Sequence, residues 1–195
     1  MRSIMLKIRN LKETVLSDHW TKLTAVSYEQ QDADGEWKTV KRETYHNRNG
    51  AAVLPFDEDR KTVLFVKQFR APTYLATGSM YVLEACAGHI EKGESADDTM
   101  LREAKEELGY QLHNLELVFK GFTTPGFSTE QLWLYLANYR PQDHRFSGGG
   151  LAKEGENIEI VEMPVEEAIK LNDKQQINDM KTALLVNELR HRLKL

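Results

Sequence analysis

The alternation of hydrophobic and polar residues predicts strands at the beginning of the chain. Residues 22–29 (KLTAVSYE) alternate roughly, with the period of two expected of a half-buried strand. The pair Asp34-Gly35 is a turn signal, and residues 37–46 (WKTVKRETYH) are predicted to form the return strand. Residues 1–45 are therefore expected to form a small antiparallel β unit.

The remainder, residues 46–195, is predicted to form a second domain that mixes strands and helices. Extended runs suggest strands in the segments GAAVLPFD, KTVLFVKQFR, SMYVLEACAG, LELVFKGFTT, EQLWLYLANYR and NIEIVEMP. VEEAIKLNDKQ and DMKTALLVNELRHRL have the pattern of amphipathic helices. In the last helix, approximate helical spacing is kept by Met180, Leu184, Leu185, Leu189 and Leu193. The fold class that follows is α+β.

After Gly88 the spacing of hydrophobic residues changes from the period of a strand to that of a helix. Ser95 and Asp98 resemble a capping box, and Gly109 stands where a helix-ending glycine is expected. The sequence predicts a helix over Ala96–Leu108, here called the carboxylate helix. Its predicted apolar stripe consists of Met100, Leu101, Ala104 and Leu108.

The carboxylate helix gathers like charges on one side. Glu103 and Glu107 are four positions apart, so they share a face, and Glu106 borders it. Such pairs destabilise an isolated helix by roughly 0.2–0.5 kcal/mol each. A bound divalent cation turns this destabilisation into stabilisation, because cations such as Mg²⁺ prefer oxygen ligands. Taken alone, the octapeptide REAKEELG is more typical of a solvated acidic helix face than of a metal site.

Composition narrows the classes of function. The net charge is −4, the mean hydropathy is −0.55, and Cys86 is the single cysteine. Internal disulfides and cysteine zinc clusters are therefore excluded, and a nucleic-acid partner is disfavoured because such partners need a basic face. The sequence has no apolar run long enough for a membrane span, and MRSIMLKIRNLKE lacks the features of a signal peptide, so we expect a cytoplasmic location and no membrane partner.

The spacing from Gly88 through Glu94 to the run Arg102–Tyr110 resembles the complete Nudix box. Membership in this family implies a mixed sheet between helices and hydrolysis of a nucleoside diphosphate linked to another group. It also implies Mg²⁺ as cofactor, with Mn²⁺ as a substitute. By the same resemblance Arg102 would orient the glutamates, and the metal ligands would be Glu103, Glu106, Glu107 and the carbonyl of Ala87.

Segments along nearly the whole chain resemble the ADP-ribose and GDP-mannose pyrophosphatase branch of the family. Examples are KRETYHNRNGAAVLPFD, VLEACAGHIEKGE and TTPGFSTEQLWLYLA. The resemblance implies a homodimer that exchanges its N-terminal β units and shares its active sites. EACAG and SGGG favour GDP-mannose, whereas PGFST fits ADP-ribose enzymes as well. A non-catalytic nucleotide sensor is a third alternative, disfavoured because every glutamate of the box is present.

The branch takes its general base from an acidic loop outside the box. The matching loop is 148–157, and its carboxylates Glu154 and Glu156 are the candidates, with Glu154 favoured. Flanking glycines would allow this loop to swing over the substrate. A solvated loop without a catalytic role is the alternative.

The resemblance also suggests substrate contacts outside the box. Arg70 resembles a phosphate-binding arginine, although a surface charge at a strand end is equally consistent. Trp20 and Arg42 occupy positions of base-contacting residues in the N-terminal unit, although Trp20 could belong to a dimer core. Glu84, on the strand before the box, is a further candidate site carboxylate.

Overall fold

The computed structural model describes residues 6–195, and at Glu154 only the backbone. Residues 1–5 of the predicted N-terminal unit lie outside this range. The chain divides into two compact units. One runs to Asn49 and includes Phe122–Gln131, and the other consists of Gly50–Gly121 and Leu132–Leu195. Within residues 6–195, no helix has the length and apolar character that crossing a bilayer requires.

The first unit is an antiparallel sheet with the order β1-β2-β3. Its strands are β1 (Ile8–Asp18), β2 (Lys22–Gln31) and β3 (Trp37–His46). The hairpin predicted at Asp34-Gly35 is confirmed, with Gly35 at φ +89°. Strand β1 was not predicted from the pattern. Register shifts between Arg9 and Lys12 and between Val15 and Ser17 interrupt its period of two.

The second unit is built on a seven-stranded mixed sheet. Along its main path the order is β10-β5-β4-β9-β8, with β6 paired to β5 and β7 to β4. Strands β4 and β9 run parallel. The bounds are β4 Gly50–Asp57, β5 Thr62–Gln68, β6 Val82–Glu84, β7 Cys86–His89, β8 His113–Phe122, β9 Gln131–Asn138 and β10 Glu159–Pro164.

Helices cover both faces of this sheet. Residues Ala52 and Leu54 of β4 pack in a core with α3 and α4, whereas Ala51 and Val53 pack in a second core with Met100 of the carboxylate helix. The helices are α1 (Ala71–Thr77), α2 (Ala96–Glu103), α3 (Val165–Asp173) and α4 (Met180–Leu193), with a π-helical turn at Ala104–Leu108 and 3₁₀ turns at Pro141–Asp143 and Ala152–Glu154. The predicted α+β class, a mixed sheet between helices, is confirmed.

Three local predictions needed correction. The run SMYVLEACAG is two strands, because the chain passes at Ala85 from pairing with β5 to pairing with β4. Helix α1 was missed because it buries no residue and so shows no apolar period. In α4, Leu185 and Leu189 are buried, but Met180 is 78% exposed and lies outside the core.

Candidate active site

Arg102 joins the acidic residues of the carboxylate helix. Its Nε and Nη2 donate to the two carboxylate oxygens of Glu94 at 3.0 and 3.1 Å. Its Nη1 donates to Glu103 Oε1 at 2.7 Å and to Glu106 Oε2 at 3.0 Å. The hydrogen bond from Arg102 lowers the pKa of Glu94 to about 2. One guanidinium therefore holds three carboxylates, and this fork of donors is the geometry that arginine supplies.

Glu107 points into the interior. It is 2% exposed, and its Oε2 accepts a hydrogen bond from the amide of Ala87 at 3.1 Å. Burial raises the pKa of Glu107 to about 8. The charge of Glu103 also raises it, whereas hydrogen bonds from Cys86 and Ala87 lower it. Burial likewise raises the pKa of Glu103 to about 7, in spite of Arg102. Two neighbouring carboxylates are thus held where ionisation is costly without a cation.

The donor atoms around this site fit a hard divalent cation in their chemistry. Carboxylate oxygens and a backbone carbonyl at Ala87 are the ligand types that Mg²⁺ takes. Among the described residues, however, no three His, Cys, Asp or Glu side chains stand together as a formed metal cage. Glu103 and Glu106 instead face Arg102, while Glu107 faces the Ala87 amide.

The end of the carboxylate helix is wider than an α-helix. After Glu103 the chain takes a π-helical turn, and the amide of Gly109 donates to the carbonyl of Ala104. At the other end Ser95 is the N-cap residue: its Oγ accepts from the amide of Asp98 at 3.1 Å and donates to Oδ2 of Asp98 at 2.6 Å. π-helical turns are rare in proteins, and those that occur inside α-helices often lie at functional sites. The sequence predicted the helix and both of its ends but gave no sign of this widening.

Arg70, which is partly exposed, forms an ion pair with the buried carboxylate of Glu84. Arg70 donates to the two oxygens of Glu84 at 2.7 and 3.0 Å. Lys181 donates to Glu84 at 2.8 Å and also pairs with Asp179 at 3.0 Å. Although burial opposes ionisation, the hydrogen bond from Arg70 and the charge of Lys181 lower the pKa of Glu84. Sequence reasoning missed Lys181, because its position in α4 carries no motif.

The acidic loop brings one described carboxylate toward the box. The charge of Glu156 contributes to the raised pKa of both Glu103 and Glu107, so it lies within electrostatic range of them. Its Oε2 accepts a hydrogen bond from the amide of Leu151 at 3.0 Å. The side chain of Glu154 lies outside the described atoms, and its backbone belongs to the 3₁₀ turn Ala152–Glu154.

Trp20 and Arg42 belong to the other unit. Trp20, between β1 and β2, is 88% exposed. Arg42 lies on β3 beside a cavity of about 500 Å³ that aromatic side chains help to line, namely Tyr28, Phe122 and Phe127. This cavity combines aromatic faces with a guanidinium, which are groups that can hold a planar ring.

Comparisons with known proteins support the assignment of the segment 88–110 as a Nudix box. The model of the NUDIX domain matches residues 46–184, and the model of the GDP-mannose pyrophosphatase NudK N-terminal domain matches residues 7–45. A GDP-mannose pyrophosphatase of Cronobacter sakazakii is 36% identical over 188 residues, covering 96% of this chain and 97% of that protein. A GDP-mannose pyrophosphatase of Escherichia coli K12 is 34% identical and covers 94% of this chain and 95% of that protein.

A solved structure shares the fold. The crystal structure of an ADP compounds hydrolase superposes with a TM-score of 0.75 at 19% identity, covering 97% of this chain and 94% of that one. Together with the domain match over most of the sequence and the arrangement around Arg102, these likenesses show that the chain belongs to the Nudix hydrolase family.

Proposed function

We propose that this protein is a Mg²⁺-dependent pyrophosphatase of nucleoside diphosphate sugars that hydrolyses GDP-mannose to GMP and mannose 1-phosphate. The observation that carries the proposal is the match of residues 7–45 to the NudK N-terminal domain. Relatives named GDP-mannose pyrophosphatase align over nearly the whole chain, so the likeness includes both units.

The residues of the site divide the chemistry among them. Glu103, Glu106, Glu107 and the Ala87 carbonyl would hold the metal, and Mn²⁺ could take the place of Mg²⁺. The bound cation would mask phosphate charge and lower the pKa of an attacking water. Arg102 keeps the glutamates oriented through its fork of hydrogen bonds.

Residues outside the box complete the proposed mechanism. Of the two loop candidates the sequence favours Glu154, but we assign the proton of the attacking water to Glu156, because its charge contributes to the raised pKa of both Glu103 and Glu107. Arg70 orients a phosphate, with Glu84 fixing its guanidinium. Trp20 and Arg42 contact the base from the N-terminal unit.

A second candidate substrate is ADP-ribose, which would give AMP and ribose 5-phosphate. A structural neighbour is an ADP compounds hydrolase, and the segment PGFST fits ADP-ribose enzymes as well. The deciding experiment assays a panel of sugar nucleotides with Mg²⁺ and resolves the products by phosphorus NMR. GMP and mannose 1-phosphate as the fastest products support the main proposal, whereas AMP and ribose 5-phosphate would replace it.

We further propose that residues 1–45 form a dimerisation unit beside a hydrolase domain of residues 46–195, and that two copies share their active sites. The stretch of residues 6–16, which includes most of β1, supports this because it presents an apolar surface to solvent. More than half of each residue is exposed at Leu6, Ile8, Leu11, Val15 and Leu16. Deletion of residues 1–45 should give a poorly soluble, inactive protein. A fully active monomer after the deletion would contradict the proposal.

A further inference from the structure

The segment Gly148–Gly150, here called the glycine segment, lies against the C-terminal end of the carboxylate helix. The amide of Gly149 donates to the carbonyl of Glu107 at 2.8 Å, and the amide of Gly150 donates to the carbonyl of Glu106 at 3.0 Å. Carbonyls in the last turn of a helix lack partners within the helix. The glycine segment therefore completes the helix end that carries two of the box glutamates.

This contact requires residues without side chains. Gly148, Gly149 and Gly150 have φ values of +63°, +88° and +80°, where other residues are strained. A β-carbon at position 148 would lie 2.9 Å from both the amide nitrogen of Gly109 and the carbonyl carbon of Leu108. Both of those atoms belong to the backbone, so neither can turn away as a flexible side chain would.

The same segment limits the position of Glu156. A β-carbon at position 150 would lie 2.8 Å from both Cβ and Oε2 of Glu156. The carboxylate also accepts from the amide of Leu151, and the amide of Ile158 donates to the carbonyl of Gly149 at 3.1 Å. Glu156 thus lies at the stem of the loop, whereas the 3₁₀ turn Ala152–Glu154 lies at its tip.

We propose that the glycine segment anchors Glu156 to the carboxylate helix, and that Gly150 is a positioning residue for this carboxylate. The inference rests on the proposed function, in which Glu156 takes part in hydrolysis. The sequence suggested that these glycines act as hinges for a swinging loop. In the proposed arrangement they fix the stem, and movement is confined to the tip.

A pair of glycine variants isolates the role of Gly150. Gly78 has a φ of +72°, and an added β-carbon there would meet no atom within 4 Å apart from its two chain neighbours, so Gly78→Ala introduces comparable backbone strain without approaching Glu156. Gly150→Ala should lower kcat at least tenfold with little change in KM, whereas Gly78→Ala stays near wild type. In a Glu156→Gln background, Gly150→Ala should cost no more than about twofold, because residues that act through one group are not additive.

Two results would overturn the positioning role. One is equal kcat in the Gly150→Ala and Gly78→Ala proteins. The other is a further tenfold loss when Gly150→Ala is added to Glu156→Gln, which would indicate a structural defect unrelated to the carboxylate.

Amide hydrogen exchange tests the anchor without reference to turnover. The amides of Gly149 and Gly150 should be protected in the wild-type protein, and the amides of Ala152–Glu154 should exchange quickly. Gly148→Ala should speed exchange at Gly149 and Gly150 while core amides of β5 stay protected. Exchange at Gly149 and Gly150 as fast as at the tip would refute the anchor. Protected amides in a protein that hydrolyses no sugar nucleotide would support the anchor and refute the proposed function.

Discussion

A β-carbon on residue 88 would lie 2.6 Å from Cγ of Glu103, so Glu103 occupies the space that any side chain at Gly88 would need. This contact joins β7 to the carboxylate helix at the first of the proposed metal ligands. The glycine is therefore required by close approach of a side chain, since its backbone φ is not in the left-handed region. Packing and chemistry depend on the same pair of residues.

Gly88→Ala should displace Glu103 and lower kcat by roughly 10²-fold, the scale expected for a shift of about 1 Å in a catalytic group. The measurement is steady-state kinetics with Mg²⁺ in excess. Gly93→Ala serves as the control, because Gly93 has a φ of +88° and an added β-carbon there would meet no atom within 4 Å apart from its two chain neighbours. It should lose stability through backbone strain yet keep its turnover. Wild-type kcat in Gly88→Ala would show that the position of Glu103 does not limit hydrolysis.

Glu107→Gln should abolish nearly all turnover while stabilising the metal-free protein. The substitution removes a buried carboxyl group whose ionisation is costly beside Glu103, but it keeps an oxygen that can accept from the amide of Ala87. We expect a gain on the order of a few kcal/mol in the free energy of unfolding in EDTA. Thermal melts with and without Mg²⁺ measure it, and the gain should vanish when the cation is present. Full Mg²⁺-dependent activity would contradict the ligand role of Glu107.

The metal-free protein should lose stability as the pH rises. Burial raises the pKa of Glu103 to about 7 and that of Glu107 to about 8, from an ordinary value of 4.5. A carboxyl whose folded pKa is raised contributes stability that is complete below pH 4.5 and is lost as the pH rises through the folded value. Melting temperatures in EDTA should therefore fall between pH 5 and about 8, and Glu107→Gln should flatten this decline. A flat wild-type profile would contradict the raised pKa values.

Local signals in the sequence were sufficient to predict the carboxylate helix. Ser95 and Gly109 are capping residues with direct physical roles, and the spacing of Met100, Ala104 and Leu108 defines a buried face that the structure confirms. Leu101 of the same predicted stripe is 36% exposed, because it lies about 100° around the helix from the buried Met100 and so at the edge of the buried face. Periodicity indicates which side of a helix is buried, but it does not define the edges of the buried face.

Contacts between distant segments could not be predicted in the same way. The division of 79–88 into β6 and β7 depends on which neighbouring strand each half pairs with, and both halves are equally apolar. The contact of Lys181 with Glu84 joins residues 97 positions apart. The packing of α4 brings Lys181 to Glu84, and no local pattern in the sequence indicates this contact. The glycine segment is recognisable in the sequence within SGGG. Its proposed role as an anchor, however, depends on hydrogen bonds to the end of the carboxylate helix, which the sequence does not show.

Lys181→Met should destabilise the protein by about 1–3 kcal/mol, because Glu84 is 3% exposed and would lose one of its two charged partners. Denaturant unfolding measures the loss. Lys174→Met is the matched control, since Lys174 is exposed just after α3 and should change stability by less than about 0.5 kcal/mol. Equal stabilities of the two variants would mean that Arg70 alone satisfies Glu84.

Glu156→Gln should lower kcat by roughly 10²–10⁴-fold, which corresponds to about 3–5 kcal/mol in the activation barrier. The box glutamates are poor proton acceptors once they hold a cation, because the positive charge lowers their pKa. The proton of the attacking water must therefore pass to a carboxylate outside the box, and the charge of Glu156 already acts on Glu103 and Glu107. KM should change little, since the group acts mainly in the transition state.

Glu154→Gln is the matched comparison, two positions away in the same loop. It should retain most of the wild-type kcat if Glu156 is the base. A loss confined to Glu154→Gln would transfer the role to Glu154 and leave the loop mechanism intact, because the flexible tip would then deliver the carboxylate. Wild-type kcat in both single variants and in the double variant would exclude the loop as the source of the base. The proton would then have to leave through a group outside residues 148–157, and the anchoring of Glu156 by Gly150 would have no catalytic consequence.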